Sequence, residues 1–262
     1  MKSDFENQSK FMRQFHNCIK NDLIQTVAKN FDQIYIRLLD IGVGKGGDIQ
    51  KWDSAKIDYV IGIDVDKFSI IEARNRFKES NITRDYQFYV TQYNASVAKS
   101  LYSLGKHTTM YNIISCQFAL HYFFANKYTV TSFFKDIGEK LIPGGYFIGT
   151  IVDGESVLEL LNNQRNYDNS VIKIQKFFES PKYIGDFIKY SLTGTLYFGE
   201  NFVSNEYLVF KQTLIEECKN VGLEFISYTK FSDYNFQMKE LMSSDSKISS
   251  FLNASFIFRK LT

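Results

Sequence analysis

The sequence predicts an α/β fold built on a doubly wound, mostly parallel sheet. Five short apolar runs alternate with segments of helical periodicity, an arrangement typical of parallel strands that are joined by helices. A glycine-rich turn follows the first run, and an acidic residue closes the second. The five predicted strands are residues 34–39, 59–64, 86–91, 111–116 and 146–151. We therefore expect a ligand pocket where the carboxyl ends of these strands meet.

The glycine-rich turn lies in the segment LLDIGVGKGGD, residues 38–48. Gly42, Gly44 and Gly47 fit the spacing G-x-G-x-x-G, which a dinucleotide-binding dehydrogenase would also show. A P-loop is excluded, because no Ser or Thr follows Lys45 and the spacing differs. Asp40 favours a site for S-adenosylmethionine (SAM), since a carboxylate at the strand end faces the cationic methionine end of that ligand and would repel a pyrophosphate. A glycine-rich turn without a ligand is the remaining alternative.

Two further strand ends carry candidate cofactor residues. Asp64 closes the second strand, 22 residues after Gly42, where both dehydrogenases and SAM enzymes place a carboxylate for the ribose hydroxyls. An aspartate there can also simply cap the next helix. Asn94 follows the third strand, where SAM enzymes often present an acid to the adenine amino group. Its amide oxygen can accept the same hydrogen bond.

The fourth strand leads into Gln117, His121 and Tyr122, on the rim opposite the glycine-rich turn. These side chains place an amide, an imidazole and a phenol where the acceptor substrate is expected. A lone histidine is more often a structural residue, so that interpretation of His121 stays open. Phe118 and Leu120, in the same segment, are predicted to belong to the core.

Apolar residues at helical spacing predict that residues 1–30 form an amphipathic helix on the sheet. Lys20 lies on its other side and is a candidate to bind the methionine carboxylate of SAM, although solvated lysines are common on such helices. Arg76 lies in a helix predicted over residues 69–78, where most arginines are surface residues.

Composition narrows the possible classes of function. The chain has 262 residues, 44% of them hydrophobic, and a formal net charge of +2, so it can bury one core and any contact with nucleic acid must be local. Cys18, Cys116 and Cys218 have no metal-binding spacing and suit a reducing compartment, so no metal is expected. No apolar run has the length of a membrane span, and the N-terminus lacks the apolar region of a signal peptide. We expect no contact with a membrane.

The second half of the chain departs from the alternating pattern. Residues 162–185 have no clear period, residues 186–204 suggest strands, and a helix over 208–221 with strands at 224–229 and 256–258 suggests a βαβ-like ending. We expect a single domain, 1–262. Its predicted parts are a helical lid (1–30), a SAM-binding core (31–152), an inserted substrate-binding region (153–207) and a C-terminal completion of the sheet (208–262).

Taken together, these motifs closely resemble those of the mRNA cap guanine-N7 methyltransferases. The matching segments are R-x-F-x-N-x-x-K at 13–20, L-D-x-G-x-G-K-G-G-D at 39–48, S-C-Q-F-A-L-H-Y at 115–122, P-G-G-Y-F-I-G-T at 143–150 and N-E-Y-L-V at 205–209. The chain also resembles the methyltransferase domain of a multifunctional capping enzyme from a large cytoplasmic DNA virus. The resemblance departs at Val43 and Cys18, which replace a cysteine and an aromatic residue, and at Asn94, which replaces an acid.

The resemblance implies a Rossmann-like class I SAM-dependent methyltransferase fold, with SAM as cofactor and S-adenosyl-L-homocysteine as product. It implies a cofactor site made of Lys20, Asp40, Gly42, Gly44, Asp64, Asn94, Gln117 and Tyr122. It implies a substrate site, with residues 153–207 as a cap-binding insertion, made of Asn17, Lys45, Asp48, Arg76, His121, Tyr122 and Glu206. The expected partners are the capped 5′ end of mRNA and triphosphatase and guanylyltransferase domains of the same capping enzyme. The expected location is the cytoplasm, in a viral factory or virion, for a viral protein and the nucleus for a cellular one.

The chemistry of guanine N7 agrees with this set of residues. N7 carries a free lone pair, so methyl transfer from a sulfonium needs alignment and a suitable field rather than a general base. His121, Tyr122 and Glu206 are therefore expected to orient the base without acting as acid or base. Two alternatives stay open: a SAM-dependent methyltransferase of a small molecule, and a non-catalytic subunit that keeps the fold. The chain lacks the Asp-Pro-Pro-Tyr and Pro-Cys motifs of adenine-amino and cytosine-C5 methyltransferases.

Overall fold

A computed structural model describes residues 2–31, 34–91, 96–192 and 204–262, with side chains from residue 10 onward. The first five strands are β1 (Arg37–Ile41), β2 (Tyr59–Asp64), β3 (Asp85–Val90), β4 (Tyr111–Gln117) and β5 (Leu141–Val152). The next four are β6 (Asn166–Asp168), β7 (Ile172–Lys176), β8 (Phe187–Leu192) and β9 (Ser204–Tyr207), and the last two are β10 (Leu223–Lys230) and β11 (Asn253–Lys260).

The helices lie between these strands. They are α1 (Lys2–Ala28), α2 (Ile49–Ser54), α3 (Lys67–Glu79), α4 (Val97–Ser103), α5 (Lys127–Lys140), α6 (Gly154–Leu161), α7 (Lys211–Lys219) and α8 (Ser244–Phe251). Short 3₁₀ turns occupy Lys29–Phe31, Leu120–Ala125, Phe231–Asp233 and Gln237–Lys239. No helix in the described part of the chain is both long and apolar enough to cross a bilayer.

Seven of the described strands form the central sheet, in the order β10-β11-β5-β4-β1-β2-β3. Strands β1 to β5 pair in parallel, whereas β11 is antiparallel to both β5 and β10. The chain proceeds from β1 outward through β2 to β3, then returns to β4 on the other side of β1. Asp40 thus lies in register between Gly62 and Ser115. This reversal opens a crevice at the carboxyl ends of β1 and β4, the usual ligand position in such sheets.

Helices cover both faces of the sheet because each face is apolar. One face carries a buried cluster that contains Phe133 and Phe134 of α5, and the other carries a cluster that contains Phe15 and Ile19 of α1. Residues of β4 alternate between the two clusters, so this central strand is buried throughout. The helix α1 therefore contributes to the core of the molecule as well as covering the crevice.

The remaining strands form a separate antiparallel sheet, in the order β6-β7-β8-β9, within residues 166–207. A backbone hydrogen bond joins the segments just before and just after the small sheet, since the Gly154 amide donates to the Val209 carbonyl at 2.9 Å. The neighbouring Asp153 amide donates to the Leu252 carbonyl at 2.8 Å. The Asp153 carboxylate caps α6 by accepting from the Ser156 amide at 3.0 Å. The small sheet is thereby anchored beside the carboxyl ends of β4 and β5.

The predicted class of fold is confirmed, while several element boundaries differ. The first strand starts at Arg37, because Ile34 and Tyr35 are exposed. The predicted turn at residues 143–145 is part of β5, where Gly144 supplies a positive φ of 77° and the pairing with β4 shifts register. The C-terminal strands are antiparallel to their neighbours rather than βαβ-like. The strands β6 and β7 and the helices α6 and α8 were not predicted.

We expect the core around β5 to carry much of the stability. Phe147 is fully buried, and its ring lies 4.9 Å from that of Phe256 and near those of Phe133 and Phe134. Phe147→Ala should lower the free energy of unfolding by about 3–5 kcal/mol, because it leaves a cavity. The matched control is Phe68→Ala, at a side chain that is 77% exposed, which should change it by less than about 0.5 kcal/mol. Urea unfolding followed by circular dichroism measures both, and equal effects would contradict this description of the core.

Candidate active site

The glycine-rich turn after β1 is hydrogen-bonded to the end of β2. The amides of Gly42 and Val43 both donate to the Ile63 carbonyl, at 2.9 and 3.1 Å. Gly42 has φ +75°, and a Cβ there would lie 2.5 Å from the Cβ of Ala119. Only glycine lets the turn pass this close to the segment that follows β4. The two strand ends and that segment therefore meet at one point.

Asp64 holds the same turn from the end of β2. Its Oδ2 accepts from the Gly44 amide at 2.8 Å, and its Oδ1 accepts from the Asp66 amide at 2.9 Å. These bonds fix the carboxylate but use only one lone pair of each oxygen. Both oxygens can therefore still accept from a pair of hydroxyls, as the predicted contact with ribose requires. The alternative in which Asp64 caps α3 is wrong, because Asp66 caps that helix.

Asp40 is the buried acid beneath the turn. Burial, together with the nearby charge of Asp48, raises the pKa of Asp40 to about 8. Its Oδ1 has no hydrogen-bond partner among the described residues. A buried polar atom of this kind is costly unless a ligand completes it. A positively charged donor would both satisfy the oxygen and favour the ionised form.

Gly47 gives a second indication that a ligand approaches the turn. A Cβ at this position would have no protein atom within 4 Å, and the residue does not have a positive φ. The protein itself therefore does not require glycine here. Gly47 lies on the wall of a cavity, where the absence of a side chain leaves room for a bound molecule. Asp40 thus offers an unpartnered acceptor to a cation, and Gly47 leaves space in the cavity wall.

A buried charge cluster adjoins the turn. The Asp48 carboxylate lies 2.7 Å from the Lys20 ammonium and 2.8 Å from that of Lys51. Burial alone would raise the pKa of Asp48, but the two lysines hold it below its ordinary value. Asp48 thus positions Lys20 from α1 against the turn. In this structure the Asp48 carboxylate faces lysines, while the predicted role of Asp48 toward substrate stays a prediction.

A cavity of about 680 Å³ extends from the turn to the small sheet. It brings together six of the predicted site residues: Asn17, Lys20, Arg76, His121, Tyr122 and Glu206. It also contains residues that the sequence did not indicate, from four separate parts of the chain: Met12, His16, Val152, Tyr190, Leu192, Ser204, Ser249 and Asn253. The cavity joins the central sheet, the small sheet, α1 and α8.

The most polar part of this cavity is the pair formed by His121 and Glu206. The Nε2 of His121 lies 2.7 Å from the Oε2 of Glu206, and the Ser204 hydroxyl donates to Oε1 at 2.6 Å. Burial raises the pKa of Glu206, but His121 and Ser204 outweigh it and keep the pKa below its ordinary value. Glu206 is therefore an anion at neutral pH. The other nitrogen of His121, Nδ1, is buried and has no hydrogen-bond partner in the described ranges.

Tyr122 lies between the two ends of the cavity. Its ring centroid is 4.0 Å from that of His121, while one side of the residue is open to solvent. Burial, together with the charges of Glu206 and Asp64, raises the pKa of Tyr122 to about 12. Both carboxylates act on this phenol, so Tyr122 lies within reach of the charges of Asp64 and Glu206.

Two residues beside this pair show how the cavity is shaped. Phe118, predicted to be a core residue, lines the cavity with a positive φ of 53°. Its amide donates to the Thr150 carbonyl at 2.9 Å, which holds this strained conformation. His16 lies against Phe118, with ring centroids 5.4 Å apart, and its Nε2 lies 3.0 Å from the Ser250 hydroxyl. Burial and the charge of Lys20 lower the pKa of His16 to about 3, so it is neutral.

The remaining predicted site residues lie at the margins of the cavity or outside the described residues. The Gln117 side chain is buried, donates to Ser115 at 3.2 Å and accepts from Thr150 at 3.1 Å. Lys45 is exposed on the turn, and Arg76 lines the cavity from the last turn of α3. Asn94 lies outside the described residues, so its predicted contact with adenine stays a prediction.

The sequence of this chain matches a known protein family. Residues 3–253 match the family model described as mRNA (guanine-N(7))-methyltransferase domain. The chain is 31% identical to the mRNA cap guanine-N(7) methyltransferase of Saccharomyces cerevisiae, over 86% of this chain and 53% of that protein. It is 33% identical to that of Schizosaccharomyces pombe, over 65% and 48%. It is 28% identical to the probable mRNA-capping enzyme of Acanthamoeba polyphaga mimivirus, over 87% and 22%.

Solved structures give the fold at lower identity. A SAM-dependent methyltransferase from Clostridium acetobutylicum has a TM-score of 0.56 at 14% identity, over 98% of this chain and 92% of that one. The methyltransferase CcbJ from Streptomyces caelestis has a TM-score of 0.59 at 12% identity, over 92% and 90%. The fold is thus that of the class I SAM-dependent methyltransferases. The chain spans about half the length of the cellular relatives described above. By the match over residues 3–253, it belongs to the mRNA (guanine-N7)-methyltransferase domain family.

Proposed function

We propose that this chain transfers a methyl group from SAM to N7 of the guanine in a GpppN mRNA cap. The observation that carries the proposal is the buried, ionised Glu206 carboxylate, held by His121 and Ser204 in the cavity that opens beside the glycine-rich turn. Guanine presents two adjacent donors, N1–H and the exocyclic amino group, which a carboxylate can accept together. An anion placed beside the ring also favours the positive charge that the base acquires on methylation.

The residues around the turn fit the cofactor. Asp64 offers two fixed oxygens to the ribose hydroxyls, and Asp40 offers an unpartnered oxygen to the ammonium of the methionine portion. Lys20, held by Asp48, is placed to bind the methionine carboxylate. When bound, SAM supplies an electrophilic methyl group on a sulfonium. Gly42 and Gly44 let the backbone approach this ligand closely.

This chain's residues need only orient the acceptor and exclude water. Guanine N7 carries its own lone pair, so no proton has to be removed before attack, and none of the cavity residues is assigned as a general base. Glu206 and His121 hold the edge of the base, while Tyr122 separates the base from the ribose end of the cofactor. Such positioning of two reactants can contribute several kcal/mol to lowering a barrier, about 7–11 in well-oriented systems.

The triphosphate of the cap would lie between the turn and α3. Arg76 lines the cavity there, and Lys45 is exposed on the turn. Asn17, from α1, lines the same cavity. We assign Lys45 and Arg76 to the phosphates because cations in these exposed positions attract a polyanion at long range.

We further propose that triphosphatase and guanylyltransferase activities supply the capped RNA, on the same polypeptide or on a partner. The similarity to part of a mimivirus capping enzyme supports such an arrangement. The proposed location is the cytoplasm, in a viral factory or virion, for a viral protein and the nucleus for a cellular one.

Incubation with methyl-labelled SAM and GpppA-capped RNA tests the proposed reaction. We expect label in 7-methylguanosine after nuclease digestion, with the uncapped RNA as a control. Label on adenosine or on ribose, or no label in RNA although the protein binds SAM, would refute the proposal. A small-molecule methyltransferase would show the second of these outcomes.

Asp40 should couple SAM binding to proton release. Because its pKa in the free protein is about 8, it is largely protonated at pH 7 and should ionise when the cationic ligand binds. The wild type should therefore release roughly one more proton per SAM than Asp40→Asn at pH 7. Its affinity should rise between pH 6 and pH 8 more than that of the variant. Isothermal titration in buffers of different ionisation enthalpy measures both, and the ligand's own amine cancels in the difference. Equal proton release by the two proteins would contradict the assignment of Asp40.

Charge reversal at the phosphate site should weaken capped-RNA binding. Lys45→Glu or Arg76→Glu should raise KM for GpppA-capped RNA about tenfold and flatten its dependence on salt, because each removes a cation near the triphosphate. The matched control is Lys78→Glu, an exposed lysine in the same last turn of α3 as Arg76. Steady-state kinetics between 50 and about 200 mM salt makes the comparison. If Lys78→Glu raises KM as much as Arg76→Glu, the effect belongs to net charge and the phosphate assignment is wrong.

Glu206→Gln tests whether Glu206 binds the guanine base. The amide offers one acceptor and one mismatched donor to guanine, and charge-assisted hydrogen bonds contribute about 1.5–3 kcal/mol each, so kcat/KM should fall about tenfold or more. SAM affinity should be unchanged, as should the activity of the control Glu224→Gln, at an exposed residue of β10. The variant should also discriminate less between guanine caps and inosine caps, because inosine lacks the amino group. Normal methylation by Glu206→Gln, or loss of SAM affinity, would show that Glu206 has another role.

A further inference from the structure

The small sheet has a second face, which points away from the cavity. Because side chains alternate along a strand, Glu206 and Tyr190 lie on the inner face with the buried Ile174 and Ile188. The outer face therefore carries the intervening residues, five of which are exposed, while Tyr207 at one end packs against the hydrophobic cluster of the central sheet. Its members in the described strands are Asn166, Asp168, Lys173, Gln175, Phe187, Lys189, Ser191, Asn205 and Tyr207. None of these outer-face residues lines the cavity.

Two phenylalanine rings are stacked on the outer face. Phe177 extends β7, since its amide donates to the Phe187 carbonyl at 3.2 Å, and the two ring centroids are 5.1 Å apart with planes within 8°. Phe187 in turn lies 5.9 Å from the ring of Tyr207. Neither phenylalanine belongs to a hydrophobic cluster of the described residues. Both phenylalanine rings are partly exposed, and only the neighbouring Tyr207 packs against a hydrophobic cluster.

Cations surround this stack. The Lys189 ammonium lies 4.9 Å from the centroid of the Phe177 ring, and the Arg165 guanidinium lies 5.8 Å from it. The nearby Lys173 pairs with Asp168, the acid on this face, at 3.7 Å. No ion pair holds Lys189 or Arg165 in the described part of the chain. The face therefore combines net positive charge with aromatic surface.

We propose that this outer face binds single-stranded RNA, namely the transcript that follows the cap; this inference rests on the proposed function. Aromatic rings on an antiparallel sheet stack with unpaired bases, and cations around them bind the phosphates between those bases. The same two strands, β8 and β9, line the cap cavity with Tyr190 and Glu206 on the inner face. The cap cavity and the outer face thus lie on opposite sides of the same two strands.

Charge and shape favour this occupant over a protein. A protein partner that docks by apolar burial needs a continuous apolar surface, whereas here two rings lie among lysine, arginine and amide side chains. A duplex would present phosphates but no exposed base faces to the rings. The outer face is thus suited to an unpaired polyanion with flat rings.

Binding of uncapped RNA tests the face without depending on catalysis. Fluorescence anisotropy with a 5′-labelled, unstructured RNA should give a Kd that rises about tenfold in Phe177→Ala, which removes a stacking ring, and in Lys189→Glu, which removes a cation. Lys189→Glu should also reduce the slope of log Kd against log salt by about one. The matched control is Lys219→Glu, an exposed lysine on α7, which should change neither. A duplex of equal length should bind more weakly than the single strand.

A second measurement separates this inference from the proposed reaction. Lys189→Glu should raise KM for long capped RNA and leave the kinetics with GpppA dinucleotide unchanged, because the dinucleotide cannot reach the outer face. No RNA binding by the wild type, equal effects of Lys189→Glu and Lys219→Glu, or equal loss with the dinucleotide would each refute the inference. If methylation fails altogether while the anisotropy results hold, the proposed reaction is wrong and the RNA-binding face remains.

Discussion

The position of the site depends on one contact, the clamp between the Asp64 carboxylate and the Gly44 amide. The turn after β1 has three residues with positive φ, Gly42, Gly44 and Gly46, so nothing intrinsic to its backbone restricts it to one shape. The clamp, together with the two amides that donate to Ile63, ties it to the end of β2. The clamp also orients the carboxylate itself. The residue that we assign to the ribose therefore also serves as part of the scaffold.

Three buried carboxyl groups of the site, those of Asp48, Glu206 and Asp40, are compensated for the cost of burial in three different ways. Asp48 stays ionised because Lys20 and Lys51 surround it. Glu206 stays ionised because His121 and Ser204 approach its two oxygens. Asp40 has no such cation in contact, and its raised pKa leaves it largely neutral at pH 7. Since an uncompensated buried charge is costly, the acid that has a hydrogen bond from Ser115 but no cation in contact is the one whose ionisation a cationic ligand would favour. The electrostatics thus distinguish an acid held by two lysines, an acid held by a histidine and a serine, and an acid with no cation in contact.

The extent to which the sequence predicted this arrangement follows from the range of the interactions. The strand β2 was predicted residue for residue, because its apolar run is short, buried and ends in Asp64. Residues that act through a local turn or a strand end, such as Gly42 and Asp64, were also predicted. The strands β6 and β7 were not, since only alternate residues such as Ile172 and Ile174 are buried there and their period is weak over so few positions. His16, Tyr190, Ser249 and Asn253 reach the cavity only through tertiary packing, so no local pattern marks them.

The sequence separation of the interacting residues also differs between the cofactor side and the acceptor side of the site. Residues assigned to the cofactor come mainly from the ends of parallel strands between Asp40 and Tyr122, which a single βα pattern brings to one edge. The acceptor side is assembled from α1, β5, the small sheet, α8 and β11, and contacts such as that of His16 with Ser250 join segments 234 residues apart. The two faces of the small sheet carry different groups: Glu206 lies on the inner face, and the Phe177–Phe187 stack lies on the outer face. The residues assigned to the acceptor therefore depend on how the small sheet, α1 and α8 pack together, whereas those assigned to the cofactor depend mainly on the central sheet, with Lys20 added from α1.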